Sequence, residues 1–180
     1  MRDAPSFDVD VRSILEDLGA AVVVDADVEL PTIVVGSEEF VPRHAGTLHL
    51  EVTNTGAGVV AAGAVTVEVD AVCSRCLQTF TLGVTGDIEG FYVTHEHDAD
   101  LPDEQEREYI ENGSIDVMPA LVSALALEVP FAPVHDASCK GICPTCGADL
   151  NAGPCACEPP ESLSPFASLR SLFEPPHNGE

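Results

Sequence analysis

The chain has 180 residues, 45% of them hydrophobic, enough for one domain with its own core and a small appendage. Seven basic residues against thirty-one acidic ones leave a net charge of −24, which argues against the basic footprint that nucleic-acid binding needs. The longest nearly apolar stretch, 117–129, is interrupted by Pro119, Ser123 and Glu128 and is too short to span a bilayer as a helix.

The opening, MRDAPSFDVD, lacks the basic-then-apolar pattern of a secretory leader, so a cytoplasmic location with reduced thiols is expected. Ser13 and Glu16 stand at capping-box spacing with Ile14, Leu15 and Leu18 around them, which predicts a short helix. Residues 20–30, AAVVVDADVEL, read as a strand ending at Pro31, and 36–46, with Gly, Pro and charges, as a loop. In TLHLEVTNT, residues 47–55, Leu48, Leu50 and Val52 share one face, as in a half-buried strand. A flexible turn, GAG at 56–58, leads to AVTVEVDAV at 64–72, which alternates in the same way. After CSRC at 73–76, residues 77–93 read as one or two further strands with glycines at turns or bulges. Connections this short leave no room for helical crossovers, so the sheet is expected to be antiparallel.

Residues 94–113 read as a solvated acidic loop; its HEH, 95–97, has the look of a metal or hydrolase motif but lacks further ligands. Residues 115–129, IDVMPALVSALALEV, predict a helix apolar on nearly every side and therefore largely buried, with Asp116 as its cap, Pro119 in its first turn and Pro130 ending it. The tail, 158–180, is proline-rich, with Leu163, Phe166, Leu169, Leu172 and Phe173 at helical spacing in a packing or docking segment. The expected fold is α+β: an antiparallel sheet packed by a central apolar helix over 1–134, a cysteine-rich zinc-binding segment over 135–157, and the tail with its short helix.

Five of the seven cysteines fall within residues 138–157. In a reducing compartment structural disulfides are rare, and an odd number suits them poorly. Zinc takes four soft ligands in a tetrahedron. Cys143 and Cys146, in CPTCG, with the C-x-C pair Cys155 and Cys157 form a complete local set. Cys73, Cys76 and Cys139 lack one ligand, and His135 stands four residues before Cys139. The eight residues thus make two tetrahedral sites with none left over. A rival grouping joins the two C-x-x-C pairs in one ribbon site and leaves Cys139, Cys155 and Cys157 over. Both proposed sites are closed, whereas a catalytic zinc keeps a position open. A redox C-x-x-C pair should open a helix after a strand, and neither pair has that setting. A non-enzymatic role is expected, with a thiol-based redox enzyme or sensor as the alternative.

The stretches VCSRCLQTF, IDVMPALVSALALEVPFAP, CKGICPTCGADLNAGPCAC and, more loosely, SPFASLRSLF resemble the YceD-like family, named for large ribosomal RNA subunit accumulation. In the relatives it resembles, the position of His135 is often a cysteine, which implies a ligand there. The resemblance implies a part in large-subunit ribosomal RNA accumulation and ribosome assembly, with no reaction attached. It also implies a gene neighbourhood shared with a basic large-subunit ribosomal protein, so the expected partner is such a protein or a large-subunit precursor. The acidity fits a basic partner; it equally fits solubility or a salty cytoplasm. Direct RNA contact would fall to Arg75 and Lys140, a weak footprint, and no membrane is expected.

Overall fold

The alternating stretches pair into one mostly antiparallel sheet. The computed structural model describes residues 5–95 and 106–157. Its strands are β1 Asp8–Asp10, β2 Ala21–Val28, β3 Ile33–Val35, β4 Glu38–Pro42, β5 Gly46–Asn54, β6 Val59–Val72, β7 Thr79–Val93, β8 Glu108–Tyr109 and β9 Ser114–Asp116, and its helix is α1 Met118–Glu128. The axis of the sheet is β6. It pairs with β7 along its whole length, from Val59↔Tyr92 to Val72↔Thr79. Its other edge takes β5 over 59–66 and β4 at Val69 and Asp70. β2 extends the sheet beyond β5.

Side chains alternate across this sheet with period two. Leu48, Leu50, Val52, Val65, Val67, Val69, Val84, Ile88 and Tyr92 are buried on the core face. Asp25, Glu51, Glu68 and Asp87 are exposed on the other. The one helix among the described residues is short and lies beside the sheet, chiefly against β7, not at the centre of the domain. It buries Met118, Leu121, Ala124 and Leu125 and leaves Leu127 85% exposed, so only one face is covered. The approach is close: a Cβ on Gly86 of β7 would come within 2.7 Å of the Ala124 carbonyl carbon.

Four local expectations are corrected. Residues 12–19 form turns instead of a helix. Buried Asn54 draws that segment in, donating from Nδ2 to the Ile14 and Leu15 carbonyls (2.8 and 3.0 Å) and accepting from the Gly56 amide (2.8 Å). These tertiary bonds outweigh the capping-box pattern. The expected loop at 36–46 contains β4, anchored by the fully buried Phe40. Part of the acidic insert forms β8, parallel to the end of β7. The helix begins later than predicted because Ser114–Asp116 pairs with β1. Asp116 Oδ1 still accepts from the Met118 amide, and also from the Phe7 amide, both at 3.0 Å, so one carboxylate ties the helix start to the chain entering β1. Pro119 sits in the first turn, and Pro130 follows the extended Val129.

Asn54→Ala should cost about 2 kcal/mol, since it removes three hydrogen bonds made by one buried side chain. A denaturant midpoint that does not move would contradict that assignment.

Candidate metal centres

The long β6–β7 hairpin ends in residues 73–78, and its turn is built twice in this protein. The Cys73 amide donates to the Gln78 carbonyl and the Leu77 amide to the Cys73 carbonyl, both at 2.9 Å. In the second C-x-x-C, the Cys143 amide donates to the Ala148 carbonyl and the Gly147 amide to the Cys143 carbonyl, both at 2.8 Å. The residue after each pair has left-handed backbone, Leu77 at φ 62° and Gly147 at φ 73°. Glycine adopts this conformation freely; leucine does so at a cost of about 1–2 kcal/mol. Leu77 is 62% exposed and has little packing to lose. Leu77→Gly should therefore raise stability by about 0.5 kcal/mol after glycine's greater loss of chain entropy; a lower melting temperature would show that Leu77 makes a contact of its own.

The eight sequence-predicted residues come together in two groups of four. Cys73, Cys76, His135 and Cys139 form the inner cluster; Cys143, Cys146, Cys155 and Cys157 form the outer one. Within each, the ligand atoms lie within 4.8 Å of one another. The ribbon grouping is not the one the structure assembles, because the two C-x-x-C pairs belong to different clusters. In the inner cluster Cys73 Sγ is 3.9 Å from Cys139 Sγ, and Cys76 Sγ is 3.4 Å from His135 Nδ1. A regular tetrahedron with zinc-like bond lengths places sulfurs about 3.8 Å apart and sulfur about 3.6 Å from nitrogen. The inner donor set fits such an ion.

The inner cluster is held from both sides. Its three cysteines are buried, with Phe80, Val134 and Ile142 packed around them. His135 is exposed at the surface, with Phe80 edge-on to its ring (centroids 6.4 Å apart). The hairpin tip grips the segment after α1: Ser74 donates from its amide and its hydroxyl to the Pro133 carbonyl (2.8 and 3.0 Å). Arg75 Nη1 donates to the Ala137 and Cys139 carbonyls, both at 3.0 Å. Arg75 thus serves the cluster's own loop. The outer cluster is shallower, with Cys143 buried, Cys146 exposed and Cys155 and Cys157 half-buried.

The thiols differ sharply within each group. Burial pushes the Cys73 thiol up, but amides from Cys76, His135 and Arg75 outweigh it and hold the thiol down at about 5. Burial, with the neighbouring Cys73 and Cys139 thiols, pushes Cys76 up to about 11. Amides of Cys146 and Thr145 hold Cys143 down at about 6, while the crowding Cys146 thiol and burial push Cys157 up to about 12. Sulfurs this close cannot all carry charge alone; a cation among them removes the conflict.

Other sequence features do not join a site. His95 stacks on Tyr109 (centroids 4.3 Å apart), with Nε2 3.1 Å from Glu111 Oε1; the rest of HEH and the tail at 158–180 lie outside the described residues. No helix among the described residues is long and apolar enough to cross a membrane. Sequence reasoning missed Asn151, whose Nδ2 lies 3.5 Å from Cys139 Sγ. It also missed Leu77 as the counterpart of Gly147, although position 77 directly follows a C-x-x-C pair.

Sheet and clusters together define a mostly β protein that carries, apart from its main core, two cysteine-rich groups, each able to hold a metal ion. The family model described as large ribosomal RNA subunit accumulation protein YceD matches residues 61–173, and the chain belongs to that family. It is similar to an uncharacterized protein of Mycobacterium tuberculosis, 30% identical over 108 residues, covering 59% of this chain and 52% of the relative. It is also similar to an uncharacterized protein of Mycobacterium leprae, 27% identical over 130 residues, covering 71% of this chain and 59% of the relative. The chain spans about half the length of the curated relatives it matches. No solved structure matches it.

Proposed function

We propose that this protein is a zinc-stabilised, non-enzymatic factor that supports accumulation of large-subunit ribosomal RNA, acting in ribosome assembly by binding a basic ribosomal protein or a precursor particle. Family membership carries the link to large-subunit RNA. The donor chemistry supports zinc: seven thiols and one imidazole in two closed groups of four. A zinc with four protein ligands offers no position to water or substrate, and thiolates already supply it with negative charge, so neither cluster suits Lewis-acid catalysis. The C-x-x-C turn of β6–β7 joins two strands, away from any helix start, which also disfavours thioredoxin-like chemistry.

The charge supports the choice of partner. Asp25, Glu51, Glu68 and Asp87 stand on the solvent face of the sheet in a chain of net charge −24. Such a surface speeds encounter with a basic protein and repels bare phosphate backbones. Affinity capture with the full chain should recover a basic large-subunit protein or precursor at low salt and release it at moderate salt. Deleting the gene should lower large-subunit RNA relative to small-subunit RNA. An unchanged RNA ratio with no ribosomal partner at either salt would overturn the reading. Native thiol labelling separates the redox alternative: ligated cysteines resist until a chelator is added, whereas redox-active thiols react at once and reversibly with oxidant.

A further inference from the structure

The two clusters are not independent in the chain. Cys139 of the inner cluster and Cys143 of the outer one are separated by three residues, and the middle one, Gly141, is left-handed at φ 75°. A Cβ there would lie 2.9 Å from the Arg75 carbonyl oxygen, so the linker runs directly over the hairpin tip. The outer loop returns to the inner cluster through Asn151, which lies between Cys146 and Cys155. Asn151 Oδ1 accepts from the Lys140 amide at 2.8 Å, while Nδ2 donates to Asp149 Oδ1 at 2.8 Å and points its other N–H at Cys139 Sγ, 3.5 Å away. Two further bonds tie outer loop to hairpin tip: Gln78 Nε2 to Asp149 Oδ2 at 2.9 Å, and the Ile142 amide to the Arg75 carbonyl at 3.1 Å.

We propose that Asn151 is a positioning residue that couples the two metal clusters: metal in the outer cluster fixes the loop that delivers the Asn151 donor to the Cys139 thiolate, and so tightens the inner cluster's hold on its own ion. The inference rests on the metal-binding reading above. An N–H aimed at a ligating sulfur spreads its negative charge and orients it, and losing such a partner typically weakens metal binding about 10- to 100-fold. Coupling of this kind is reciprocal, so the inner ion also steadies the outer one. The shallower outer cluster, with Cys146 exposed, is the one whose thiols a chelator or oxidant reaches first, and its loss would be felt at the inner one.

Cobalt(II) bound to the full chain tests this, because a three-sulfur, one-nitrogen site and a four-sulfur site give different visible bands. Inner-cluster affinity is read by chelator competition in the wild type and in Cys155→Ser/Cys157→Ser, which removes the outer cluster; a loss of about tenfold is expected. Asn151→Asp keeps the acceptor for the Lys140 amide and removes both Nδ2 donations, to Cys139 Sγ and to Asp149 Oδ1; Asp149→Ala, which loses the second and keeps the donor to sulfur, is its control and should leave the inner charge-transfer band in place. Asn151→Asp should lower inner affinity about tenfold with the outer cluster still loaded, and shift the inner sulfur-to-cobalt charge-transfer band, which a merely structural role would leave in place. Combined with the outer-cluster variant, it should add less than about twofold. Two cobalt ions bound by the wild type, with inner affinity unchanged in Asn151→Asp and in the outer-cluster variant, overturn the coupling and leave the metal reading standing. No cobalt uptake by the wild type overturns both.

Discussion

Cys73→Ser is expected to remove most of the protein's stability. Cys73 is fully buried at the tip of the longest hairpin, and on the metal reading proposed above its cluster would fasten that tip to the chain 59 residues beyond Cys76 at His135. Structural zinc contributes roughly 10 to 16 kcal/mol in zinc-finger peptides at neutral pH, against a total stability of about 5 to 15 kcal/mol for a domain. Losing one ligand of four, and the closure of a loop of about sixty residues, should therefore lower the melting temperature by tens of degrees or abolish the transition. Cys146→Ser, in the exposed outer knuckle, should cost much less. Equal melting temperatures for wild type and Cys73→Ser would show that the inner cluster bears no load.

The second large effect is expected at Gly86→Val. The backbone of α1 sits directly on this residue, with the Ala124 carbonyl carbon, the Ala124 oxygen and the Leu125 nitrogen at 2.7, 2.8 and 2.9 Å from where a Cβ would stand. These are backbone atoms with no rotamer to yield, so the helix must lift from β7 and uncover Leu121 and Leu125. Overpacking of this kind costs about 3 kcal/mol or more. Urea denaturation of the purified full chain measures it; a valine accepted at no cost would mean that helix and sheet are farther apart than the structure places them.

These residues also show what was legible in the chain. The sheet could be read because Leu48, Leu50, Val52 and Val65, Val67, Val69 alternate cleanly, and period two has a single geometric meaning. That the eight Cys and His side chains gather in two groups of four could be read because C-x-x-C and C-x-C fix local pairs and arithmetic leaves few combinations. What could not be read depends on distant partners. β1 exists only because Asp8–Asp10 meets Ser114–Asp116, more than a hundred positions away. β4 was hidden by Pro42 and the charges around it, although Phe40, its one large apolar residue, is wholly buried. The capping-box spacing at Ser13 and Glu16 lost to the bonds that Asn54 makes with Ile14 and Leu15. Close approach at Gly86 is likewise invisible in sequence, where a glycine within a strand reads as a bulge.

Elemental analysis of the purified full chain, with thiols counted before and after chelation, tests the central claim most directly. The account predicts two zinc ions per chain, cysteines that resist labelling in the native state, and loss of the folded sheet's cooperative melting when the metal is stripped. A metal-free chain that melts cooperatively with all seven thiols reacting at once would contradict it.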